Sequence, residues 1–421
     1  MITSAPQPTL TVIPMHGAVA AQRTTILDVL IRITPPEVTL KPDRPPLNLG
    51  LAIDCSGSMG GSKLAYAKQA ACFAVENLLP SDRVSVVTFD SDVTVLVPST
   101  LATDKGAILG KIRQLQAGTC TALHQGWVEG SMQVSSYLHS DHLNRVMVLS
   151  DGLANVGETN PDTIASDVHG LSQRGVSTTT LGVGNDYSED LMEAMARSGD
   201  GNFYHIESPD QLPSIFEAEL NGLSATVGQR VSLGLKPRHG AVIKEVLNDF
   251  DLTSTQRYKL PNLVLGSPIQ VVVRLQVPAL ETETNLGDIR LAWDDPNHAD
   301  RQVLRASVSL PVVSPTQLGD FPPVVEVQEQ VALLMAARAR QEAIDHSDRG
   351  NYQQAMASLQ EAQTFMAACP PSAMLVEEMA ALEDLEGRYG EGDLASARKL
   401  AKSQRYNLQR SRPSQRSPKQ P

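Results

Sequence analysis

Three short stretches of this 421-residue chain carry oxygen donors in a pattern that suits a hard divalent cation. The first is Asp54-Cys55-Ser56-Gly57-Ser58-Met59, the second Gly118-Thr119-Cys120-Thr121-Ala122-Leu123, and the third Ser150-Asp151-Gly152. Asp54, Ser56, Ser58, Thr121 and Asp151 supply two carboxylates and three hydroxyls, and no imidazole or thiolate that would favour zinc. Alternate spacing in Asp54-x-Ser56-x-Ser58 lets one tight loop aim several oxygens at a common point. Mg²⁺ demands octahedral geometry at about 2.0–2.1 Å and keeps waters readily. Five protein groups, some acting through water, would therefore leave a position that an external carboxylate can take. Ca²⁺ or Mn²⁺ would suit the same donors.

Each residue also has a plainer reading. Asp54 or Ser58 alone would be read as a helix N-cap, and Asp151 as a turn cap. Cys55 and Cys120 adjoin presumed ligands, so a redox latch is conceivable, but small buried core residues are the favoured reading. His124 is expected on the surface or supporting the site rather than on a metal. His139 and His142 are three apart without further donors, which is weak evidence for zinc. Asp90-Ser91-Asp92, between two β-like runs, reads as a hairpin turn.

The elements around these stretches make the grouping meaningful. From about Leu47 to Leu223 apolar strands alternate with helical patterns, the signature of a parallel α/β sheet. Strands are expected at Leu47–Ile53, Arg83–Phe89, Arg145–Ser150, Ser177–Val183 and Phe203–Ile206. Helices are expected at Ser62–Leu79, Lys105–Leu115, Leu123–Leu138, Pro161–Arg174, Glu189–Arg197 and Pro209–Leu220. All three donor stretches then lie at carboxyl ends of strands or in the loops beyond, where open α/β sheets bind ligands.

These residues resemble the metal-ion-dependent adhesion site of von Willebrand factor A domains, whose pattern is DxSxS, then a Thr, then an Asp. The likeness covers roughly residues 45–225 and includes the DGxxNVG run at Asp151–Gly157 and Gly182-Val-Gly184. It implies a doubly wound, mostly parallel sheet with one antiparallel edge strand. It also implies that Ser56, Ser58 and Thr121 bind the ion through hydroxyls, with Asp54 and Asp151 acting largely through water. Thr121 is preferred to Thr119 because Thr-Ala-Leu-x-x-Gly fits the family's loop.

The flanks are different in kind. Residues 1–44 are β-rich, and 226–315 return to strands at Val231–Leu235, Val242–Val246, Ile269–Val277, Asp288–Trp293 and Val303–Leu310. One β-sandwich assembled from both flanks, with residues 45–225 inserted, is the expected arrangement. Residues 322–408 read as helical. Gly350-Asn-Tyr-Gln-Gln-Ala355 and Gly392-Asp-Leu-Ala-Ser-Ala397 echo a tetratricopeptide hairpin, but two partial matches do not make a solenoid, so a short bundle is expected. Residues 409–421 are expected to be a disordered basic tail.

Composition narrows the function. The formal net charge of −12 argues against a nucleic-acid partner. Eight Lys or Arg and no acid lie from Arg398 onward, leaving about −20 on the rest. No apolar run approaches the ~20 residues of a membrane helix, and no signal peptide is evident, so a cytoplasmic location is the expectation. The leading reading is a metal-dependent protein-interaction module that grips an Asp or Glu carboxylate of a partner protein. One alternative is a scaffold or adaptor acting through its helical C-terminus, for instance beside an AAA+ ATPase, with the metal only structural. The other is a metal-dependent hydrolase. It is disfavoured because no general base, Walker loop or GxSxG turn accompanies the donors, so the protein is not expected to be an enzyme. Oligomeric state is not legible.

Overall fold

The computed structural model describes residues 7–411 except 37–44, 140, 152, 209–210, 212–213, 218, 220–221, 223–224 and 296–299. The chain divides into two compact units, one from residues 41–225 and the other from residues 1–40 with 226–414. It opens with three strands, β1 (Thr9–Pro14), β2 (Val19–Ala20) and β3 (Thr25–Thr34).

The α/β unit follows. Its strands are β4 (Leu47–Asp54), β5 (Arg83–Phe89), β6 (Val93–Leu101), β7 (Leu143–Ser150), β8 (Val176–Val183) and β9 (Asp200–Ile206). Its helices are α1 (Ser62–Glu76), α2 (Lys105–Arg113), α3 (Leu123–Ser135), α4 (Pro161–Ser172) and α5 (Glu189–Ser198). Residues 214–217 are also helical, and the rest of the helix expected at Pro209–Leu220 lies largely outside the described residues. The sheet runs β6-β5-β4-β7-β8-β9. Every pair is parallel except the β5–β6 hairpin at the edge. This is the doubly wound sheet that the resemblance implies.

Both faces are covered, so β4 and β7 are buried along their whole length and read as continuous apolar runs. Leu47, Leu49, Leu51 and Ile53 share one core with α1 residues Leu64, Ala67, Ala71 and Ala74 and with Ile108 and Ile112 of α2. On the opposite face α3 presses on β4. A Cβ at Gly50 would stand 2.8 Å from Val134 Cγ2 and 3.1 Å from the Gly130 carbonyl, so only glycine admits the helix there.

In the other unit the two ends of the chain pair. Strand β10 is Thr226–Pro237, β11 Val242–Val246, β12 Tyr258–Lys259, β13 Leu263–Val264, β14 Ile269–Val277, β15 Thr284–Asp294, β16 Gln302–Leu310 and β17 Val312–Val313. One sheet runs β1-β3-β14-β11, with Ile269 opposite Ile33 and Val277 opposite Thr25. The other runs β12-β10-β15-β16. Alternation sorts the side chains: Leu27, Val29, Ile31 and Ile33 enter the core between sheets with Leu233, Leu291 and Trp293.

The opposite face of β3 is not left to solvent. Leu30 and Val272 pack with Val327, Val331 and Leu334 of helix α6 (Val325–Asp348). Three more helices follow, α7 (Tyr352–Ala367), α8 (Ala373–Glu391) and α9 (Leu394–Gln409). They close a bundle with α6 over Ala336, Ile344, Leu359, Leu382, Leu385 and Ala401. The two glycines of the tetratricopeptide-like echoes sit at the turns between helices, Gly350 at φ +77° and Gly392 at φ +82°. Their role there is a left-handed turn.

The tail expectation gives way at its first residues. Gln409 is still helical, its carbonyl accepts from Asn248 Nδ2 at 3.1 Å, and its Oε1 accepts from the Asp249 amide at 2.7 Å. The Ser411 hydroxyl accepts from the Gln270 amide at 2.9 Å. These polar side chains saturate backbone groups next to β14, a role that composition does not reveal. Residues 412–421 lie outside those described. Truncation after Leu408 is therefore expected to cost about 2 kcal/mol, from lost hydrogen bonds and newly unpaired amides. Truncation after Ser411 should cost none of it. Equal urea midpoints for the two truncations would contradict this account.

Candidate metal centre

The strand order positions the site. From β4 the chain winds outward to β5 and β6, and from β7 it winds the other way to β8 and β9. Connections leaving the adjacent carboxyl ends of β4 and β7 therefore diverge, and a crevice opens between them. Asp54 ends β4, Ser150 ends β7, and Asp151 follows it.

Four of the five expected donors form one hydrogen-bonded chain in that crevice. Asp54 is fully buried. Its Oδ1 accepts from the Ser56 amide at 2.8 Å, and its Oδ2 from the Ser150 hydroxyl at 2.5 Å. The Ser56 and Ser58 hydroxyls are 3.1 Å apart, and Ser58 donates to Asp151 Oδ1 at 2.9 Å. Asp151 is also fully buried, whereas Ser58 faces solvent.

Thr121 is brought in by its backbone. Its amide donates to Asn155 Oδ1 at 2.8 Å, and its carbonyl accepts from the Asn155 and Val156 amides at 3.1 and 3.3 Å. The preceding loop is stitched to the Asp54 loop: Gly118 donates to the Cys55 carbonyl at 2.5 Å, and Gly57 to the Thr119 carbonyl at 2.8 Å. A Cβ at Gly118 would lie 1.8 Å from Asp90 Oδ2, so the approach depends on that glycine. The Thr121 side chain is buried, while Thr119 is exposed with its hydroxyl 2.7 Å from that of Ser91. Among the described residues the Thr121 hydroxyl makes no hydrogen bond to the other four donors.

Electrostatics in the crevice favour positive charge. Burial pushes the Asp54 carboxyl up to about 6, against the opposing pull of hydrogen bonds from Ser150 and Ser56. The nearby Asp151 raises it further. One cation of the protein's own answers that demand. Lys63 Nζ lies 2.6 Å from Asp151 Oδ2 and 2.5 Å from Asp186 Oδ2. Burial alone would lower the Lys63 pKa, but these two carboxylates outweigh it and raise it.

The donor set fits a hard divalent ion: carboxylate and hydroxyl oxygens around buried negative charge. Among the described residues no group of three or more His, Cys, Asp or Glu is arranged to hold a metal. Of the remaining candidates, Cys120 is exposed and not the buried core residue expected, because it lies in the loop before α3, where its amide donates to Ser91 Oγ at 3.4 Å; the others take ordinary roles. Burial pushes the Cys55 thiol up to about 12, with the Asp54 and Asp90 charges adding to it, which keeps it a neutral core residue. His124 Nε2 is 3.0 Å from Asp167 and its ring stacks on Trp127. His139 and His142 lie ring to ring at 5.0 Å. The Asp92 amide donates to Asp90 Oδ1 at 3.0 Å, closing the hairpin turn.

Lys63, Ser150, Asn155 and Asp186 are the partners that sequence reasoning missed. Ser150 and Asn155 lie inside the quoted motifs without a role assigned to them, and Lys63 left a signal of its own. A cation at the second position of α1 opposes the helix dipole, so it invites the question of what anion holds it there.

A doubly wound sheet with an oxygen-lined crevice at its switch point is the arrangement of a ligand-binding α/β domain. Residues 48–218 match the family model of the von Willebrand factor type A domain, and the chain contains such a domain. The uncharacterized protein sll0103 of Synechocystis sp. is 28% identical over 318 residues, 72% of this chain and 73% of that protein. YfbK of Escherichia coli is 30% identical over 189 residues, 44% of this chain and 33% of that protein. The inter-alpha-trypsin inhibitor heavy chain H3 of Rattus norvegicus is 26% identical over 196 residues, 43% of this chain and 22% of that one. None of these relatives is named as an enzyme. Among solved structures, the von Willebrand factor type A protein from Catenulispora acidiphila aligns over 91% of both chains, with a TM-score of 0.70 at 16% identity. The ArnB paralog VWA2 from Sulfolobus acidocaldarius aligns over 94% of this chain and 99% of that one, with a TM-score of 0.61 at 20% identity. The shared fold thus extends well beyond the α/β unit. No helix among the described residues is long and apolar enough to cross a membrane.

Proposed function

We propose that Asp54, Ser56, Ser58, Thr121 and Asp151 hold one divalent cation, Mg²⁺ by preference, and that the protein uses it to bind a carboxylate of a partner protein. The observation that carries this reading is the pair of fully buried carboxylates joined through the Ser56 and Ser58 hydroxyls at the sheet's switch point. Such buried negative charge is costly unless a cation compensates it. Ser58 and Thr119 are exposed, so the same crevice is open on the side from which a partner would arrive. Hydroxyl ligands leave the ion electrophilic, and an external anion gains more from it than from a carboxylate-saturated ion. The ion's chemistry here is attraction for that anion, and Ser150, Ser56 and Asn155 serve to hold the donors in place. A neutral Cys55 offers no nucleophile beside them.

Affinity capture from native extract tests the reading. With Mg²⁺ present the wild-type chain should retain protein partners that are lost on adding EDTA and lost with an Asp54→Ala bait. Recovery of the same partners under all three conditions would instead favour a scaffold acting through its helices, with the metal only structural.

A further inference from the structure

Lys63 is a charged group that the reading above does not use. Its ammonium bridges two carboxylates of very different exposure: the Asp151 side chain is 0% exposed and that of Asp186 is 69% exposed. Asp151 consequently has both oxygens engaged, Oδ1 by Ser58 and Oδ2 by Lys63. The lysine stem reaches this position across Gly184, where a Cβ would stand 3.2 Å from Lys63 Cε. Gly184 has φ +71°, so the backbone that makes the passage is one other residues adopt only with strain.

The placement has an electrostatic consequence. A divalent ion approaching Asp151 meets a carboxylate already neutralised by a positive charge in direct contact. Like charges separated by a few ångströms repel, and the burial of Asp151 leaves little water to screen them. Expelling an ammonium into water would be one way to admit the ion. Asp186 provides another, because it holds the same nitrogen independently and sits at the surface. Lys63 can release Asp151 and keep a counter-ion.

We propose that Lys63 is a tethered cation that competes with the divalent ion for Asp151, and that Asp186 is the anchor to which it withdraws when the ion binds. The inference rests on the reading that this crevice holds a divalent cation. It assigns to Lys63 and Asp186 the setting of that cation's affinity. In the unloaded site Asp151 is then charge-compensated by the chain itself.

Titration calorimetry of the full chain with Mg²⁺ and with Mn²⁺ tests this on wild type, K63M, D186N and the double variant. Methionine keeps the length and apolar stem of the lysine. K63M should bind either ion about 10-fold more tightly, and D186N several-fold more weakly, since Lys63 then has only Asp151. In the K63M background D186N should have no effect, because the anchor then holds nothing. Weaker or unchanged binding by K63M overturns the proposal and makes Lys63 a support for Asp151. A D186N loss that persists without Lys63 overturns the anchor role and reports the surface charge alone. A measurement on wild type does not depend on any variant folding: acetylation of Lys63, followed by mass spectrometry, should speed up when Mg²⁺ is added. Slower acetylation on adding Mg²⁺ argues against withdrawal. Wild type that binds neither ion overturns the metal reading as well, whereas wild-type binding with K63M unchanged sinks only the role of Lys63.

Discussion

Asp54→Asn is expected to lower Mg²⁺ affinity more than about 100-fold, while making the cation-free protein more stable at neutral pH. The first effect is the larger: losing an outer neighbour of a metal ligand already costs about 10–100-fold, and Asp54 carries one of the two buried charges. The second follows from its environment. Burial lifts the Asp54 carboxyl from 3.8 to about 6, so the folded, cation-free chain holds this proton more tightly than the unfolded chain does. Stability from this group is therefore fully present below about pH 4 and is lost as pH rises through 6. The loss approaches about 3 kcal/mol, because a tenfold difference in proton affinity between the folded and unfolded chain is worth about 1.4 kcal/mol. Asparagine cannot ionise and escapes that loss. A saturating cation opposes it in the wild type, adding about 2.7 kcal/mol at a hundred times its dissociation constant. Thermal melts at pH 5 and pH 8, with Mg²⁺ or EDTA, should show a Mg²⁺-dependent rise in wild type and none in Asp54→Asn. Wild-type Mg²⁺ affinity in that variant would remove Asp54 from the site.

Glu378→Gln is expected to destabilise the unit containing the helical bundle by about 3–5 kcal/mol. Arg340 of α6 is wholly buried, and its guanidinium bonds Glu378 of α8 and, at 3.0 Å, Gln404 of α9. Arginine cannot shed its charge, so removing the carboxylate leaves an uncompensated buried cation. Among the described residues one guanidinium nitrogen, Nη2, already lacks a hydrogen-bond partner. Replacing both residues, Arg340→Met with Glu378→Leu, should restore most of the loss, because apolar groups of similar size satisfy the same space. Denaturant midpoints decide the matter. A cost under about 1 kcal/mol for Glu378→Gln would mean that water reaches the pair.

The contrast between these two sites shows what was readable in the chain. Asp54, Ser56 and Ser58 stood out as candidates because they alternate in one loop, and the first and third stretches follow strands legible as apolar runs, while the second leads into a helix. Strands at 83–89, 242–246 and 269–277 were readable to the residue for the same reason, since apolar runs or alternation and flanking turn residues are properties of neighbours. The Arg340–Glu378 pair gave no such sign. Both residues look like solvated positions on amphipathic helices, and only the closing of α6, α8 and α9 around them removes the water. Gln409 and Ser411 were hidden likewise inside a basic, proline-containing tail.

The amino-acid order alone determined the element types, the α/β pattern of residues 45–225 and which side chains are candidate oxygen donors, because these follow from short-range spacing and side-chain chemistry. Tertiary structure decided that β4 lies beside β7, which is what faces Asp54 toward Asp151 across 97 positions of chain. It also decided that β3 pairs with β14 and that Lys63 reaches Asp151. Such contacts are chosen by competition among many distant partners for the same edge or cavity, and no local pattern records which partner wins.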